Sequence, residues 1–577
     1  MTQHRITIHN QGRRRFLTAC FSLVTILLLW RVTDLQVLNN EYLKLHGEER
    51  SVRVVTIPAH RGTIVDRNHE PLAISTPVAS VWAIPREILA AKERLSEISS
   101  ALETDPATLQ QLLEERSSRD FIYLKRQINP QEAEKIRSTG VPGIYLQQEY
   151  KRYYPAAEIT AHIIGFTNVD DTGQEGLELA YNDWLSGAPG QKRVLRDAKG
   201  HVVQDIESIQ TVRSGKELVL SIDQRIQYLA YRELKNAIIR HRASSGSIVM
   251  LDSVTGEVLA MAGQPSYNPN DRNGLRSEHY RNRAVTDVFE PGSTMKPFTI
   301  AAALMSGLYT TDSIIETGPG YIYINRHKIE DIHNYGKLDL LNIIRKSSNV
   351  GASKLALAIG PEQLWNICSS FGFGQDTMSG YPGESPGLLN NFRNWSEVEL
   401  ATVAFGYGLA VTNLQLAQAY ATLATDGMMK PISFLKVEGP VSGQQVIPAE
   451  VAREVKIMLE SVVTEGGTGQ SAAVRGYRVG GKTGTSRKSI AGGYAEDRHF
   501  SLFAGMAPLS SPRLVLVVTI NDPRGGEYYG GQVAAPVFAS VMKGALRILD
   551  IVPDNLPAVE NAVIMAQSLG VKEQAAR

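Results

Sequence analysis

Cysteine is almost missing: Cys20 and Cys368 are the only two in 577 residues. They are too few and too far apart for a disulfide framework or a thiolate metal site. An excess of one charge is missing as well. Lys and Arg number 60 against 59 Asp and Glu, a net charge of +1, so no global field draws a polyanion and nucleic acid is set aside as a partner. None of the 12 His falls in a cluster with ligand spacing, and neither a metal nor another cofactor is expected. No internal repeat is visible. What is present is a globular balance of 43% hydrophobic and 21% charged residues, which excludes wholesale disorder. At ~150 residues per domain the length corresponds to three or four units.

The N-terminus bears on compartment. His4, Arg5 and Arg13-Arg14-Arg15 precede an apolar stretch from Phe16 to Trp30, and Leu35, Val37 and Leu38 add a weaker apolar tail. The strong part is short against the ~20 residues that a bilayer core requires. Arg31 beside Trp30 can snorkel to the far interface and lengthen the span. No small-x-small cleavage site follows; Val32-Thr33-Asp34-Leu35 comes next. The segment reads as an uncleaved signal anchor, with a buried soluble helix as the alternative. The basic flank keeps the N-terminus cytoplasmic and sends everything beyond about residue 40 outside. Cys20 then lies in the span, and Cys368 is a lone buried thiol outside.

From about Glu41 to Arg213 short β-like runs alternate with charged helical ones. Ser51–Ile57 reads as a strand and Pro58–Gly62 as a turn. Residues Ile84 to Gln148 are rich in Glu, Lys, Leu and Ala at helical spacing. A second domain begins near Gly215, with a strand over Leu218–Ile222 and a helical period from Gln224 to Arg240. Gly246–Met261 reads as a hairpin turning at Val254-Thr255-Gly256. Phe500–Ala507 and Leu514–Ile520 form a later strand pair. Strands at both ends with helices between them give an α+β fold whose sheet is assembled from distant segments. The resulting division is a cytoplasmic tip over 1–15, an anchor over 16–36, domains over 37–214 and 215–557, and a disordered tail over 558–577.

Three motifs compete for the chemistry. Gly476 to Thr483 satisfies the G-x4-G-K-[ST] phosphate loop letter for letter. That loop needs a buried strand before it and a helix after it, whereas Gln470–Arg475 is no such strand and Gly484-Thr485-Ser486-Arg487-Lys488 starts no helix. Gly383-Glu384-Ser385-Pro386-Gly387 matches a nucleophile elbow, but the residue after the serine must supply an oxyanion N–H. Pro386 has none, so the segment is a turn. The third is Glu290-Pro291-Gly292-Ser293-Thr294-Met295-Lys296-Pro297, running into the apolar helix Phe298–Met305. Ser293 and Lys296 lie one turn apart on one face. A desolvated lysine beside a serine loses its proton and acts as a base, and a helix N-terminus favours charge developing at an attacked carbonyl. Alone, the spacing is common by chance and more often marks an N-cap serine and a solvated lysine.

Two further pieces decide between these. Lys346-Ser347-Ser348-Asn349 supplies a hydroxyl and an amide, and Lys482-Thr483-Gly484-Thr485 reads as an edge strand whose glycine admits a substrate backbone. In order and spacing these are the S-x-x-K, S-x-N and K-T-G set of penicillin-recognising serine acyltransferases. The chain resembles the class B penicillin-binding proteins, monofunctional peptidoglycan D,D-transpeptidases. The match takes in Arg61–Arg67, Arg152-Tyr153-Tyr154-Pro155, His162, Gly176-Leu177-Glu178, Tyr407-Gly408 and Tyr529-Gly530-Gly531. Within that class it is most similar to the division-specific FtsI (penicillin-binding protein 3) type of Gram-negative bacteria. It departs at Asn68-His69, where the family has a turn glycine.

The resemblance implies a mixed α/β pedestal over 37–214 and a transpeptidase domain with a central antiparallel sheet flanked by helices. It implies that Ser293 attacks the penultimate D-alanine of a stem pentapeptide and that Lys296 takes its proton. Ser347 relays a proton to the leaving group, Asn349 binds the donor amide, and Lys482 supplies positive charge near Ser347. Thr483, Gly484 and Thr485 line the strand that pairs with substrate, and the N–H groups of Ser293 and Thr485 hold the oxyanion. Arg487, with Thr485, binds the terminal carboxylate, or else Arg487 is a solvated surface charge. Tyr407 lines the cleft or packs in the core. The implied partners are stem pentapeptides, β-lactams acylating Ser293, an FtsW-type (SEDS) glycosyltransferase and other divisome membrane proteins. The implied location is the inner membrane, with the catalytic domain periplasmic. Rival readings are a carboxypeptidase or β-lactamase, an elongation or special-purpose paralogue, and an idle penicillin sensor or scaffold.

Overall fold

A computed structural model describes residues 10–42, 52–196, 202–274 and 276–556. His4, Arg5 and the tail 558–577 lie outside the described residues. Two compact units divide the chain. One takes Met1–His60, Pro77–Glu149 and Gly187–Ser214; the other takes Arg61–Thr76, Tyr150–Ser186 and Gly215 onwards.

In the first unit, Asn10–Thr33 is an α-helix that continues as a π-helical turn over Asp34–Leu38. The apolar helical span over Gly12–Leu38 is 27 residues long, enough to cross a bilayer. The short apolar run is completed by continuing past Arg31, whose guanidinium pairs with Asp34 one turn on at 2.7 Å; pairing lowers the cost of carrying two charges so near a span's end. The same unit holds an antiparallel sheet of Val52–Ile57, Gly190–Arg196 and Val202–Gln210. Helices Leu95–Leu102, Pro106–Glu115 and Pro130–Thr139 enclose a core with Ile88, Ile98, Leu113 and Ile136. The helical reading of Ile84–Gln148 misses two strands, Ile122–Ile128 and Ile144–Tyr153. Lys125 and Arg126 gave the first its helical composition, yet pairing sets it as a strand, with Trp82 opposite Tyr123 and Ala79 opposite Ile128.

The second unit is built on one five-stranded antiparallel sheet. Its strands, in chain order, are β1 (Ser245–Asp252), β2 (Val258–Gln264), β3 (Gly480–Ile490), β4 (Gly493–Ala507) and β5 (Leu514–Asn521). The spatial order is β2-β1-β5-β4-β3, which leaves β3 at an edge. Both faces are covered, so β5 is apolar at successive positions. Leu514, Leu516, Val518 and Ile520 enter one core, and Val515 and Val517 enter the other. The first core is closed by α1 (Gln224–Arg240) and α7 (Ala535–Ile548). The second holds α2 (Lys296–Met305), α3 (Leu340–Lys346), α4 (Asn349–Ile359), α5 (Asn413–Ala424) and α6 (Ala449–Val463). Cys368 is buried there, and Cys20 is exposed on the N-terminal helix.

Residues quoted from the N-terminal motifs fold into this second unit. Arg61 and Arg152 both grip Glu178, through Nε at 2.8 Å and 2.6 Å, and all three side chains are buried. Gly62 is obligatory because a Cβ there would fall 1.9 Å from the Lys216 carbonyl oxygen. At the departure from the family pattern, His69 itself adopts φ +66°, the left-handed conformation that a glycine reaches without strain. The turn is held by Asp66, which accepts from the N–H groups of Asn68 and Glu70 at 2.7 and 2.9 Å.

Candidate active site

Ser293 stands in a 3-10 turn, Gly292–Met295, that runs straight into α2. Pro297 in the first helical turn gives up only an N–H that would have no partner there. The turn is gripped from several sides. Tyr420, fully buried on α5, donates its hydroxyl to the Thr294 carbonyl at 3.0 Å. Gly406 has φ +88°, and a Cβ on it would lie 2.1 Å from the Gly292 carbonyl oxygen. Ser293 is half-buried, and its hydroxyl makes no hydrogen bond among the described residues.

Lys296 is wholly buried. Its Nζ contacts the Ser347 carbonyl, Ser347 Oγ at 3.1 Å and Asn349 Oδ1 at 2.8 Å. Burial first, and then the neighbouring Lys482 ammonium, holds its pKa well below the usual lysine range, while Asp331 works in the opposite direction. A neutral amine suits this setting. Two N–H bonds serve the two carbonyl-type oxygens, and the lone pair faces a hydroxyl that is able to donate.

Lys482, on edge strand β3, is also wholly buried. Its Nζ donates to Ser347 Oγ at 3.0 Å and to Thr483 Oγ1 at 3.3 Å, and burial lowers its pKa to about 7. Because Gly480–Ile490 is a strand, the phosphate-loop pattern across Gly476–Thr483 forms no cradle. A Cβ on Gly484 would meet the Pro291 carbonyl oxygen at 2.9 Å, so the glycine lets β3 lie against the serine turn. Thr483 Oγ1 lies 2.9 Å from Thr468 Oγ1, and Thr485 Oγ1 accepts from the Gly530 N–H at 3.0 Å.

Ser347 takes φ +60° as the C-cap of α3, which turns the chain so that α4 starts two residues later. The sequence pattern contained no sign of the group that holds this bend. Asp331 accepts from Ser348 Oγ and from the Asn349 N–H, each at 2.5 Å, and from the Val350 N–H at 3.0 Å. It is a carboxylate cap on a helix N-terminus, and the Glu330 carbonyl next to it accepts from the Asn349 side chain at 3.1 Å.

Arg487 exposes its side chain, while its backbone N–H donates to Tyr407 Oη at 3.2 Å. Tyr407 is half-buried, packed edge-on against Phe405 and Tyr494. Glu290 was also missed. Its carboxyl accepts from the Tyr494 hydroxyl and the Gly408 N–H at 2.9 and 2.8 Å, and burial raises its pKa.

A hydroxyl on a helix-entry turn, one helical turn from a buried lysine that meets a second buried lysine at Ser347 Oγ, is the arrangement of a serine acyltransferase of the penicillin-recognising class. Comparison with known proteins narrows this. The model of the penicillin binding protein transpeptidase domain matches residues 246–543, and that of the penicillin-binding protein dimerisation domain matches residues 56–220. Peptidoglycan D,D-transpeptidase FtsI of Escherichia coli is 46% identical over 549 residues, 94% of this chain and 93% of that protein. The probable peptidoglycan D,D-transpeptidase PbpC of Pseudomonas aeruginosa is 42% identical over 93% of this chain and 96% of its own length. Among solved structures, the transpeptidase domain of Burkholderia pseudomallei penicillin-binding protein 3 superposes with a TM-score of 0.54 at 42% identity, covering 59% of this chain and 98% of that one. The chain belongs to the FtsI-type penicillin-binding proteins, the peptidoglycan D,D-transpeptidases.

Proposed function

We propose that the chain cross-links peptidoglycan stem peptides during septal wall synthesis, working from a single N-terminal anchor with its catalytic domain in the periplasm. The observation that carries the chemistry is the meeting of two buried lysines at Ser347 Oγ beside the Ser293 turn. Ser293 Oγ bonds to the carbonyl carbon of the penultimate D-alanine, and the bond to the terminal D-alanine breaks. Lys296 takes the Ser293 proton, directly or through Ser347, and Ser347 with Lys482 returns one to the departing amine. Contacts of this kind are often long in a free enzyme and tighten with substrate bound. Asn349, Thr483 and Thr485 hold the donor peptide along β3, where Gly484 allows its backbone to approach closely; Arg487, with Thr485, binds the terminal carboxylate, and Tyr407 lines the cleft. The Ser293 and Thr485 N–H groups steady the oxyanion, worth several kcal/mol when preorganised. An amine of a second stem peptide then attacks the ester and frees Ser293. A β-lactam forms the same ester with no leaving peptide. An FtsW-type glycosyltransferase and other divisome membrane proteins supply and place the strands, a reading supported by the resemblance to the division-specific type. The intact Ser293, Lys296, Ser347, Asn349 and Lys482 set disfavours an idle sensor.

The test is Ser293→Ala in the full chain. Fluorescent penicillin labelling is lost while thermal unfolding stays cooperative; labelling that survived would remove Ser293 as nucleophile. In the unaltered chain the adduct hydrolyses slowly, and rapid turnover would instead mark a β-lactamase.

A further inference from the structure

The hydrogen bonds of Lys482 lead away from Ser347 as well as towards it. Thr468, in the loop between α6 and β3, sets its Oγ1 2.9 Å from Thr483 Oγ1. That loop is held on several sides. The Gly469 N–H donates to the Val462 carbonyl at 2.9 Å, Lys346 Nζ donates to the Gly466 carbonyl at 3.2 Å, and Arg345 donates to the Glu465 carbonyl. Gly531 comes so near that a Cβ on it would lie 2.3 Å from the Thr468 carbonyl oxygen. Thr483 is buried, whereas Thr468 is exposed.

The proton count fixes the direction of this chain. A charged lysine has three N–H donors, and Lys482 has an acceptor for each: Ser347 Oγ at 3.0 Å, the Thr483 carbonyl at 3.2 Å and Thr483 Oγ1 at 3.3 Å. A hydroxyl carries one proton. When Thr483 Oγ1 accepts from Lys482, its own proton points to Thr468 Oγ1, and the exposed Thr468 turns its proton to water. A neutral Lys482 reverses this order, because its lone pair takes a hydroxyl proton. Thr468 is therefore an acceptor whose presence favours the charged lysine, and hydrogen bonds in such a row polarise one another. The charged group set against Lys482 is Lys296, across Ser347 Oγ, with Asp331 beyond it. Strand β4 places Ala504 opposite Lys482, and on α6 Glu460 and Lys456 are paired with Arg478 and Asp426.

We infer that Thr468 is a positioning residue for the transfer reaction: by accepting the Thr483 proton it turns the Thr483 oxygen to Lys482 and keeps that lysine's positive charge at Ser347. There, as the C–N bond breaks, Ser347 Oγ gives its proton to the departing amine and Lys482 replaces it with one of its own. Thr468 acts through Thr483 and not on the reacting atoms. This rests on the transpeptidase reading, which gives Lys482 its task.

The experiment uses the full chain in detergent micelles, with acylation by fluorescent penicillin followed by stopped flow on both sides of neutral pH. Acylation needs a charged Lys482, whose pKa burial lowers to about 7, so its rate falls on the alkaline side. Thr468→Val keeps the volume and removes the hydroxyl. Its alkaline fall begins about one pH unit lower, which leaves acylation about tenfold slower beyond that limb and unchanged where Lys482 is still charged. Thr468→Ala gives the same shift, and Thr468→Ser keeps the unaltered profile. Thr483→Val cuts the chain one link earlier, and adding Thr468→Val to it moves the limb no further. Valine and alanine profiles that superpose on the unaltered one overturn the inference. So does a loss by the same factor at every pH, the mark of a loosened loop, or a serine variant that shifts as far as the valine one. An unaltered chain that penicillin fails to label overturns the transpeptidase reading as well; a labelled chain whose valine and alanine variants keep its profile overturns this inference alone.

Discussion

Lys296 and Lys482 converge on one oxygen, their ammonium nitrogens standing 3.1 and 3.0 Å from Ser347 Oγ. Both side chains are fully buried. Two like charges so close and so poorly solvated do not both persist, and the protons belong to the pair rather than to either residue. One neutral amine and one cation, on either side of a rotatable hydroxyl, is the arrangement that moves a proton from an attacking serine to a leaving amine.

The pH dependence of penicillin acylation follows from this pair. A neutral Lys296 is needed, so the rate rises with pH as that residue loses its proton; its lowered pKa puts this limb well below the ordinary lysine range. A charged Lys482 is needed, so the rate falls again as pH passes about 7. Lys482→Gln removes the alkaline fall and moves the Lys296 limb to higher pH, because a neighbouring positive charge that lowered it is gone. Stopped-flow acylation across pH tests both; an alkaline fall that persists in the glutamine variant excludes Lys482 as its source.

Asp331→Asn keeps the shape of the cap and removes its charge. Loss of a helix cap costs about 1–2 kcal/mol, and the Ser347–Asn349 bend loosens with it. Acylation slows about tenfold. The acid limb of the pH profile shifts further down, since Asp331 is the one group that raises the Lys296 pKa. A merely structural cap would lower the melting temperature and leave that limb in place.

Glu178→Gln leaves Arg61 and Arg152, both buried, without their shared counter-charge. Breaking a buried pair from one side costs about 3–5 kcal/mol, to be read from urea unfolding. A loss below about 1 kcal/mol, the range of surface pairs, would show that solvent reaches this triad.

His69→Gly acts in the opposite direction. A non-glycine residue at φ +66° is strained by about 1 kcal/mol, and the pair of His69 with Glu217 at 3.7 Å is exposed and worth little in return. Stability rises by a few tenths to about 1 kcal/mol, less the added freedom of glycine in the unfolded chain. A fall in melting temperature would mean that the imidazole contributes more than its contacts suggest.

Much of this molecule is legible in one dimension. α1 occupies Gln224–Arg240 as its period predicts, the β1–β2 hairpin turns at the expected residues, and the apolar run after Lys296 is a buried helix ending at Met305. These are local matters: periodicity, turn residues and side-chain volume act within a few positions of the chain. The strands at Ile122–Ile128 and Ile144–Tyr153 were illegible because their polar residues imitate a surface helix, and only a pairing partner makes them strands.

The three short motifs, read together, determined the family and named the serine and the lysines. Sequence also set the N-terminal apolar segment and its basic flank. Tertiary structure alone decided what those residues touch. It set the two lysine nitrogens at contact distance from Ser347 Oγ, placed Asp331 at the site without any motif, gave Glu290 of the serine motif its partners Tyr494 and Gly408, and laid Gly484 against the serine turn. It also folded the Arg61–Glu178–Arg152 motif residues into the same unit as the catalytic sheet. The physical reason is that spacing along the chain fixes residue type and local geometry. Desolvation, like-charge proximity and capping depend on which distant segments share a core, and one strand order sets all of them at once.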